Sequence, residues 1–252
     1  MFEILLLSLI QGLTEFLPVS SSSHLILISN HLNFTNQSIS IDVSLHIGSF
    51  IAVVTYFFND IKNFIKNKFL FAKIIISSIP VMIVGFFLIK TNYIDILRSV
   101  KIIGWTTVIF GALLFISDKF KINKKISKDF TFKTAVFIGI LQILSLVPGV
   151  SRSGITITAA RFLNFNRFES AKISFLLSIP TLAAVSIFGL KEILYFNNFN
   201  FSFLNLIAIF LSFIFSFITI KFFLNYIKNF SLNVFVAYRI AVGLVILYFA
   251  YL

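Results

Sequence analysis

The chain has no cysteine and little acidic charge. Of its 252 residues, 9 are Asp or Glu and 21 are Lys or Arg, so charged residues make up only 12% of the sequence. A soluble domain carries about 25% charged residues. A chain with half that share of charged residues cannot cover a globular surface with polar groups, which excludes a soluble enzyme. The absence of cysteine excludes disulfides and thiolate metal sites.

Apolar residues dominate instead, at 58% of the chain and a mean hydropathy of +1.00, which excludes a disordered chain. The net charge of 21 − 9 = +12 does not indicate a nucleic-acid binder, because the basic residues lie in short gaps between long apolar runs. We therefore predict an all-α polytopic membrane protein, a single integral membrane domain over residues 1–252. Its surroundings are membrane lipids, and no nucleic acid is expected as a partner.

Six segments are long and apolar enough to span a membrane, which takes about 20 residues of helix. They are residues 41–58, 70–90, 101–117, 170–190, 203–221 and 232–251. Lysines concentrate in the gaps 59–69, 118–133 and 222–231, which the positive-inside rule places in the cytoplasm. The gap 191–202 has little net charge and is placed outside.

Two further apolar stretches, 1–29 and 132–163, are interrupted in the middle by proline and hydroxyl-bearing residues. Because both ends of 132–163 adjoin cytoplasmic segments, we predict a re-entrant hairpin there and a second one at 1–29 that enters from outside. The chain then forms two half-repeats, about 1–125 and 126–252, of opposite orientation. Two broken re-entrant helical hairpins meet near the midplane in such an inverted-topology repeat.

The second break carries a candidate phosphate site. Irregular backbone at membrane depth is buried in protein or lines a cavity, and a helix that starts at a break presents N–H groups that favour an anion. Arg152 lies there among Ser151, Ser153 and Thr156, which together offer a planar fork and short-range donors to a phosphate. The alternative is that Arg152 binds helix C-terminal carbonyls or a lipid headgroup.

The first break carries Gln11 and Glu15, which are one turn apart and therefore on one helix face. A carboxylate in an apolar hairpin is costly and usually functional. Beside a phosphate, Glu15 is suited to hold a divalent cation, Mg²⁺ or Ca²⁺, through oxygen atoms. The alternatives are that Glu15 caps the serine run or pairs with Arg152.

The serine run that follows supplies a candidate nucleophile and further anion donors, with Ser20 and Ser22 among the donors. His24 lies three residues after Ser21 and titrates near neutral pH, which suits a general acid or base. A purely structural role for His24 is equally open.

Both motifs resemble signatures of a known family. Residues 11–21, QGLTEFLPVSS, followed by His24, resemble the first signature of the bacterial undecaprenyl-diphosphatases, the bacitracin-resistance family. Residues 148–156, PGVSRSGIT, resemble its second signature, and length and hydropathy match over essentially the whole chain. Both motifs are long and occur in the expected order, so the resemblance is specific.

The resemblance implies an activity and a location. Such enzymes hydrolyse undecaprenyl diphosphate, a polyprenyl diphosphate lipid, to undecaprenyl phosphate and inorganic phosphate with a divalent cation. The reaction regenerates the lipid carrier for peptidoglycan synthesis and confers bacitracin resistance. The resemblance further implies a multi-pass protein of the bacterial plasma membrane with an outward-facing active site. Whether the protein forms a homodimer is left open.

The resemblance also implies roles for single residues. Gln11 and Glu15 fall on the paired acidic-or-amide positions, where the cation binds. Ser21 falls on the proposed nucleophile and His24 on the proposed acid or base. The pyrophosphate-binding signature covers Ser151, Arg152 and Thr156.

The sequence departs from the family pattern at two places. Gln11 stands where many members carry Glu, so metal ligation rests more heavily on Glu15. Ser22 and Ser23 stand where other members often have Thr-Gly, which leaves open whether Ser21, another serine or a water activated by His24 attacks phosphorus. The predicted architecture is also one that transporters use, so a transporter or flippase of a phosphorylated polyprenyl lipid or another anion is the alternative function.

Overall fold

The computed structural model describes residues 1–32, 34, 38–66, 68–91, 96–120, 124–195 and 203–252. Within these residues the chain is helical and contains no β-strand, so the all-α prediction is confirmed. Parts of the predicted loops 30–40, 118–133 and 191–202 lie outside the described residues. The helices are α1 Phe2–Thr14, α2 Ser21–Leu32, α3 Ile39–Tyr56, α4 Phe58–Lys66, α5 Lys68–Lys90, α6 Val100–Asp118, α7 Ile126–Asp129, α8 Phe132–Gln142, α9 Arg152–Phe162, α10 Arg167–Tyr195, α11 Phe203–Asn229 and α12 Asn233–Tyr251.

The six predicted spans correspond to α3, α5, α6, α10, α11 and α12, each long and apolar enough to cross a membrane. The chain is therefore a multi-pass membrane protein. The largest difference in bounds is in α11, which continues eight residues past the predicted end at 221. The hydropathy of a sequence indicates where a helix leaves the hydrocarbon of the membrane, not where the helix ends. In residues 222–229 of α11, Lys228 Nζ lies 5.4 Å from the ring centre of Phe168.

Both of the other apolar stretches are broken where proline and serine interrupt them. The first break separates α1 from α2, and the second separates α8, with a following 3₁₀ turn over Ile143–Leu146, from α9. The residue before each second helix is a serine with positive φ, Ser20 at 81° and Ser151 at 69°. Non-glycine residues keep this left-handed conformation only where the surrounding structure holds them. The re-entrant path of the two stretches stays a prediction.

The first helix of each interrupted stretch packs against a long helix of the other predicted half. Helix α1 contacts α11, and α8 contacts α5. Both contacts are close at a glycine: a Cβ on Gly12 would lie 2.4 Å from Phe215 Cβ, and one on Gly139 would lie 2.4 Å from Ser77 O. The inverted-topology repeat and its boundaries stay predictions.

An aromatic core lies directly beside the first break. Phe16 and Phe175 are fully buried, and their rings meet edge to face with centroids 5.3 Å apart. Phe175 also contacts Phe223 of α11 at 5.8 Å. Because Phe16 is anchored in this core, the backbone of the neighbouring Glu15 is fixed at the edge of the break.

Candidate active site

The two breaks contact each other directly. The backbone N–H of Gly149 donates to Ser20 Oγ at 3.3 Å, and Ser153 Oγ donates to Leu17 O at 2.8 Å. Residues that are more than 120 positions apart in the chain therefore lie together where the two breaks meet.

Glu15 is the centre of this site. Its carboxylate is 8% exposed, and Oε1 accepts a hydrogen bond from Arg152 Nη2 at 2.7 Å. The other oxygen, Oε2, accepts from Ser21 Oγ at 2.8 Å and from Gln11 Nε2 at 3.2 Å. The pairing of Glu15 with Arg152, predicted as an alternative to a functional role, thus occurs together with a contact to the candidate nucleophile.

Arg152 is held by α10 as well as by Glu15. Its Nη1 donates to Ser174 O at 3.3 Å, and its side chain is 13% exposed. Thr156 Oγ1 lies 2.7 Å from Ser174 Oγ and 2.8 Å from Arg152 O. Thr156 therefore supports the helix that carries Arg152. Ser174 was not predicted; the signal for it is a serine facing inward from an apolar span.

Ser151 and Ser153 tie the second break together. Ser151 Oγ accepts from Gly154 N at 3.1 Å, which caps α9, and lies 3.1 Å from Ser153 Oγ. Since Ser153 also reaches Leu17 O, both hydroxyls already have partners within the protein. Their direct contact with substrate stays a prediction.

The serine run divides into two groups. Ser20 Oγ lies 3.4 Å from Ser22 Oγ and 3.0 Å from Ser23 Oγ, so these three hydroxyls bond to one another. Of the four serines, Ser21 is the one whose hydroxyl reaches Glu15 among the described residues. This contact singles out Ser21 as the hydroxyl with a base beside it.

His24 faces away from this network. Its Nδ1 lies 2.6 Å from Ser20 O, and because a carbonyl only accepts, Nδ1 carries the proton. Nε2 then accepts from the hydroxyl of Tyr238 at 2.6 Å, and the two rings stack with centroids 5.8 Å apart. Within the described part of the chain no hydrogen bond joins His24 to Ser21 or Glu15. An acid or base role for His24 stays a prediction.

Gln11 and Glu15 provide oxygen donors that fit a divalent cation. The Gln11 side chain is fully buried, and its Oε1 has no hydrogen-bond partner among the described residues. Mg²⁺ is commonly bound by one or two protein oxygens together with substrate phosphates. In the described ranges no three acidic, His or Cys side chains form a metal cluster. A cation at Gln11 and Glu15 stays a prediction.

Arg239 of α12 is a further residue of the site that was not predicted. It is fully buried, and its guanidinium donates to backbone carbonyls of both breaks. The signal for it is a single arginine within an apolar span, where ionisable residues are rare and usually functional.

Comparison with known proteins assigns the chain to a family. The family model described as "Bacitracin resistance protein BacA" matches residues 4–245. The chain belongs to the BacA family. An undecaprenyl-diphosphatase of Pelagibacter ubique (strain HTCC1062) is 50% identical over 250 residues, covering 99% of this chain and 97% of the relative. Those of Jannaschia sp. (strain CCS1) and Aliivibrio salmonicida (strain LFI1238) are 40% and 42% identical, covering 100% and 96% of this chain and 99% and 95% of the relatives.

The match to the BacA family confirms the resemblance found in the two motifs, and the matched residues include both breaks.

An apolar cavity of about 480 Å³ lies between α3, α5 and α10. Leu146, in the turn before the second break, lines this cavity together with Thr181, which follows Ser174 on α10 by about 10 Å of helix. The cavity therefore begins about two turns from Arg152.

Proposed function

We propose that the protein hydrolyses undecaprenyl diphosphate to undecaprenyl phosphate and inorganic phosphate, which returns the lipid carrier to peptidoglycan synthesis and confers bacitracin resistance. The observation that carries this proposal is the convergence of Ser21 and Arg152 on Glu15. A hydroxyl with a base beside it and an arginine fork form the minimal set for phosphoryl transfer. Membership of the BacA family and the names of the relatives agree with it.

Binding of the diphosphate uses the positive groups of the site. Arg152 offers a planar fork of N–H donors, and the first turns of α2 and α9 add backbone N–H groups that have no partner within their helices. A phosphate that arrives at Arg152 competes with Glu15 for the guanidinium. The carboxylate of Glu15 is then freed from its ion pair and becomes a stronger base toward Ser21.

Catalysis starts with the Ser21 hydroxyl, which lies 2.8 Å from Glu15 Oε2. Its oxygen attacks the terminal phosphorus while its proton passes to Glu15, and the bond from that phosphorus to the bridging oxygen breaks. Undecaprenyl phosphate leaves, and water then cleaves the phosphoserine to release inorganic phosphate. The alternative is a single step in which His24 activates water, with no covalent intermediate.

A divalent cation at Gln11 and Glu15 supplies charge neutralisation at the phosphate oxygens when it is bound. The residues that would hold it are Glu15 and Gln11, whose carbonyl oxygen is buried without a partner in the described residues. Phosphate release should therefore fall when EDTA removes the cation.

The location follows from the same arguments. With the lysine-rich gaps of a bacterial plasma-membrane protein in the cytoplasm, the first break opens to the outside, so the active site faces outward. The polyprenyl tail then occupies the apolar cavity between α3, α5 and α10.

Phosphate release by purified protein in detergent tests the function. C55 and C15 diphosphates should both yield phosphate, and detergent removes the second compartment that transport requires, so turnover separates the enzyme from the transporter alternative. Ser21→Ala should lower kcat at least about 100-fold, because the nucleophile is lost. Ser78→Ala, which removes a buried hydroxyl of α5 that donates to Ile74 O of the same helix, should change kcat less than about threefold. Near-normal turnover of Ser21→Ala, with no phosphoserine trapped in the wild type, favours water activated by His24.

A further inference from the structure

Arg239 has an unusual set of partners for a buried charge. Nη1 donates to Pro18 O at 3.2 Å and to Val150 O at 3.0 Å, and Nη2 donates to Gly149 O at 2.7 Å. Nε donates to Thr107 O of α6 at 3.3 Å. Among the described residues no carboxylate contacts the guanidinium, so the charge is held by carbonyl dipoles alone. A fully buried arginine in this setting is costly.

The carbonyls that bind Arg239 lie just ahead of the two helices that carry the candidate catalytic groups. Pro18 is three residues from Glu15 on one side and three from Ser21 on the other. Gly149 and Val150 precede Arg152 by two or three residues. One side chain therefore fixes the distance between the backbone segments from which Ser21 and Arg152 project.

The neighbouring residues leave room for this contact. A Cβ on Gly154, in the first turn of α9, would lie 2.8 Å from Arg239 Nη1, so glycine at that position lets the guanidinium reach the break. Gly149 has φ of +93°, and its carbonyl accepts the shortest of the four hydrogen bonds. The backbone of the second break is thus shaped around Arg239.

We propose that Arg239 is a positioning residue for the phosphatase reaction: its guanidinium holds both breaks in the register at which Glu15, Ser21 and Arg152 meet. The inference rests on the proposed function of these three residues. Lysine cannot replace arginine here, because one ammonium group cannot span carbonyls from both breaks and from α6 at once.

Arg239→Lys therefore tests the proposal, with Arg161→Lys as a matched control. Arg161 is also buried and also donates to backbone carbonyls, those of Phe165, Asp118 and Phe120, but lies about 13 Å along α9 from Arg152. We expect both variants to lose thermal stability to a similar extent. Phosphate release from C15 diphosphate should show kcat reduced at least about tenfold in Arg239→Lys, with KM changed less than about threefold, and kcat nearly unchanged in Arg161→Lys. Equal kcat values in the two variants would overturn the proposal.

A distance measurement separates positioning from chemistry. Since the chain has no cysteine, spin labels can be placed at Leu13→Cys and Leu144→Cys alone, two partly exposed positions just before the breaks. The distance distribution between the labels should broaden in Arg239→Lys and stay narrow in Arg161→Lys. An unchanged distance distribution in Arg239→Lys contradicts the positioning role. The proposed function is tested separately, because full activity of Glu15→Gln would contradict that function without affecting the distance measurement.

A second variant keeps the test decisive if Arg239→Lys does not fold. Gly154→Ala leaves arginine in place and directs a methyl group at Nη1. It should broaden the same distance distribution and lower kcat in the same direction. A native distribution with native kcat in Gly154→Ala would count against the proposal.

Discussion

At the first break, the identity of the side chain at position 11 should affect how the site binds a cation. Gln11 donates to Glu15 through Nε2 and keeps a buried carbonyl oxygen without a partner in the described chain. An amide gives a cation an oxygen but no charge. The affinity for the cation should therefore depend on which residue stands at this position.

Gln11→Glu should strengthen cation binding. A second carboxylate beside Glu15 attracts Mg²⁺. Without Mg²⁺, repulsion between the two carboxylates lowers the stability of the folded protein. We expect the Mg²⁺ concentration for half-maximal phosphate release to fall at least about threefold. Gln142→Glu is the matched control, because Gln142 is also a fully buried amide and makes no hydrogen bond to Glu15 or to any other described residue through its side chain. Equal shifts in both variants would show that the effect is not local to the site.

The sequence predicts some residues of the site better than others. Glu15, Ser21 and Arg152 stand in dense local motifs, and the structure brings them within hydrogen-bonding distance. Tyr238 and Arg239 lie in an ordinary apolar span, and their partners are about 90 to 220 positions away in the chain. Only the packing of α12 against the breaks reveals them, and no spacing rule in the sequence encodes that packing.

Different sequence features predict the membrane-spanning helices and the breaks. Continuous apolar length predicts the six spans, whereas proline followed by hydroxyl residues predicts the interruptions of 1–29 and 132–163. The cavity between α3, α5 and α10 could not be predicted, because its walls are apolar residues like those that face lipid. It depends on crossing angles and on small residues such as Gly85 and Gly189.

Ala184→Phe should fill this cavity and obstruct the polyprenyl tail. Ala184 lines the cavity, so a phenyl ring there should raise KM for C15 diphosphate at least about fivefold. The effect on kcat should be small, since Ala184 is about 15 Å along α10 from Ser174, the residue that contacts Arg152. Ile187→Phe, which changes an exposed position of the same helix, should leave KM unchanged. If Ala184→Phe leaves KM for both C15 and C55 diphosphate unchanged, the tail lies elsewhere.

Orientation is a property of the whole molecule. The lysine-rich gaps predict that residue 128 lies in the cytoplasm and that the C-terminal end of α5, where Lys90 lines the apolar cavity, lies outside. In intact cells a membrane-impermeant maleimide should label Lys90→Cys and spare Lys128→Cys. Both cysteines should react after permeabilisation, and the reverse pattern in intact cells would invert the proposed orientation.

The packing of α1 against α11 also sets an order of assembly. Gly12 meets its partners Phe215 and Ser216 only after some two hundred further residues have been synthesised. Arg239, which joins the breaks, arrives later still. Helix α1 is therefore made long before its partner α11, and the hydrogen bonds that join the two breaks through Arg239 form only after α12 is made. A protein shortened by its final helix would carry both signature motifs and still lack a working site.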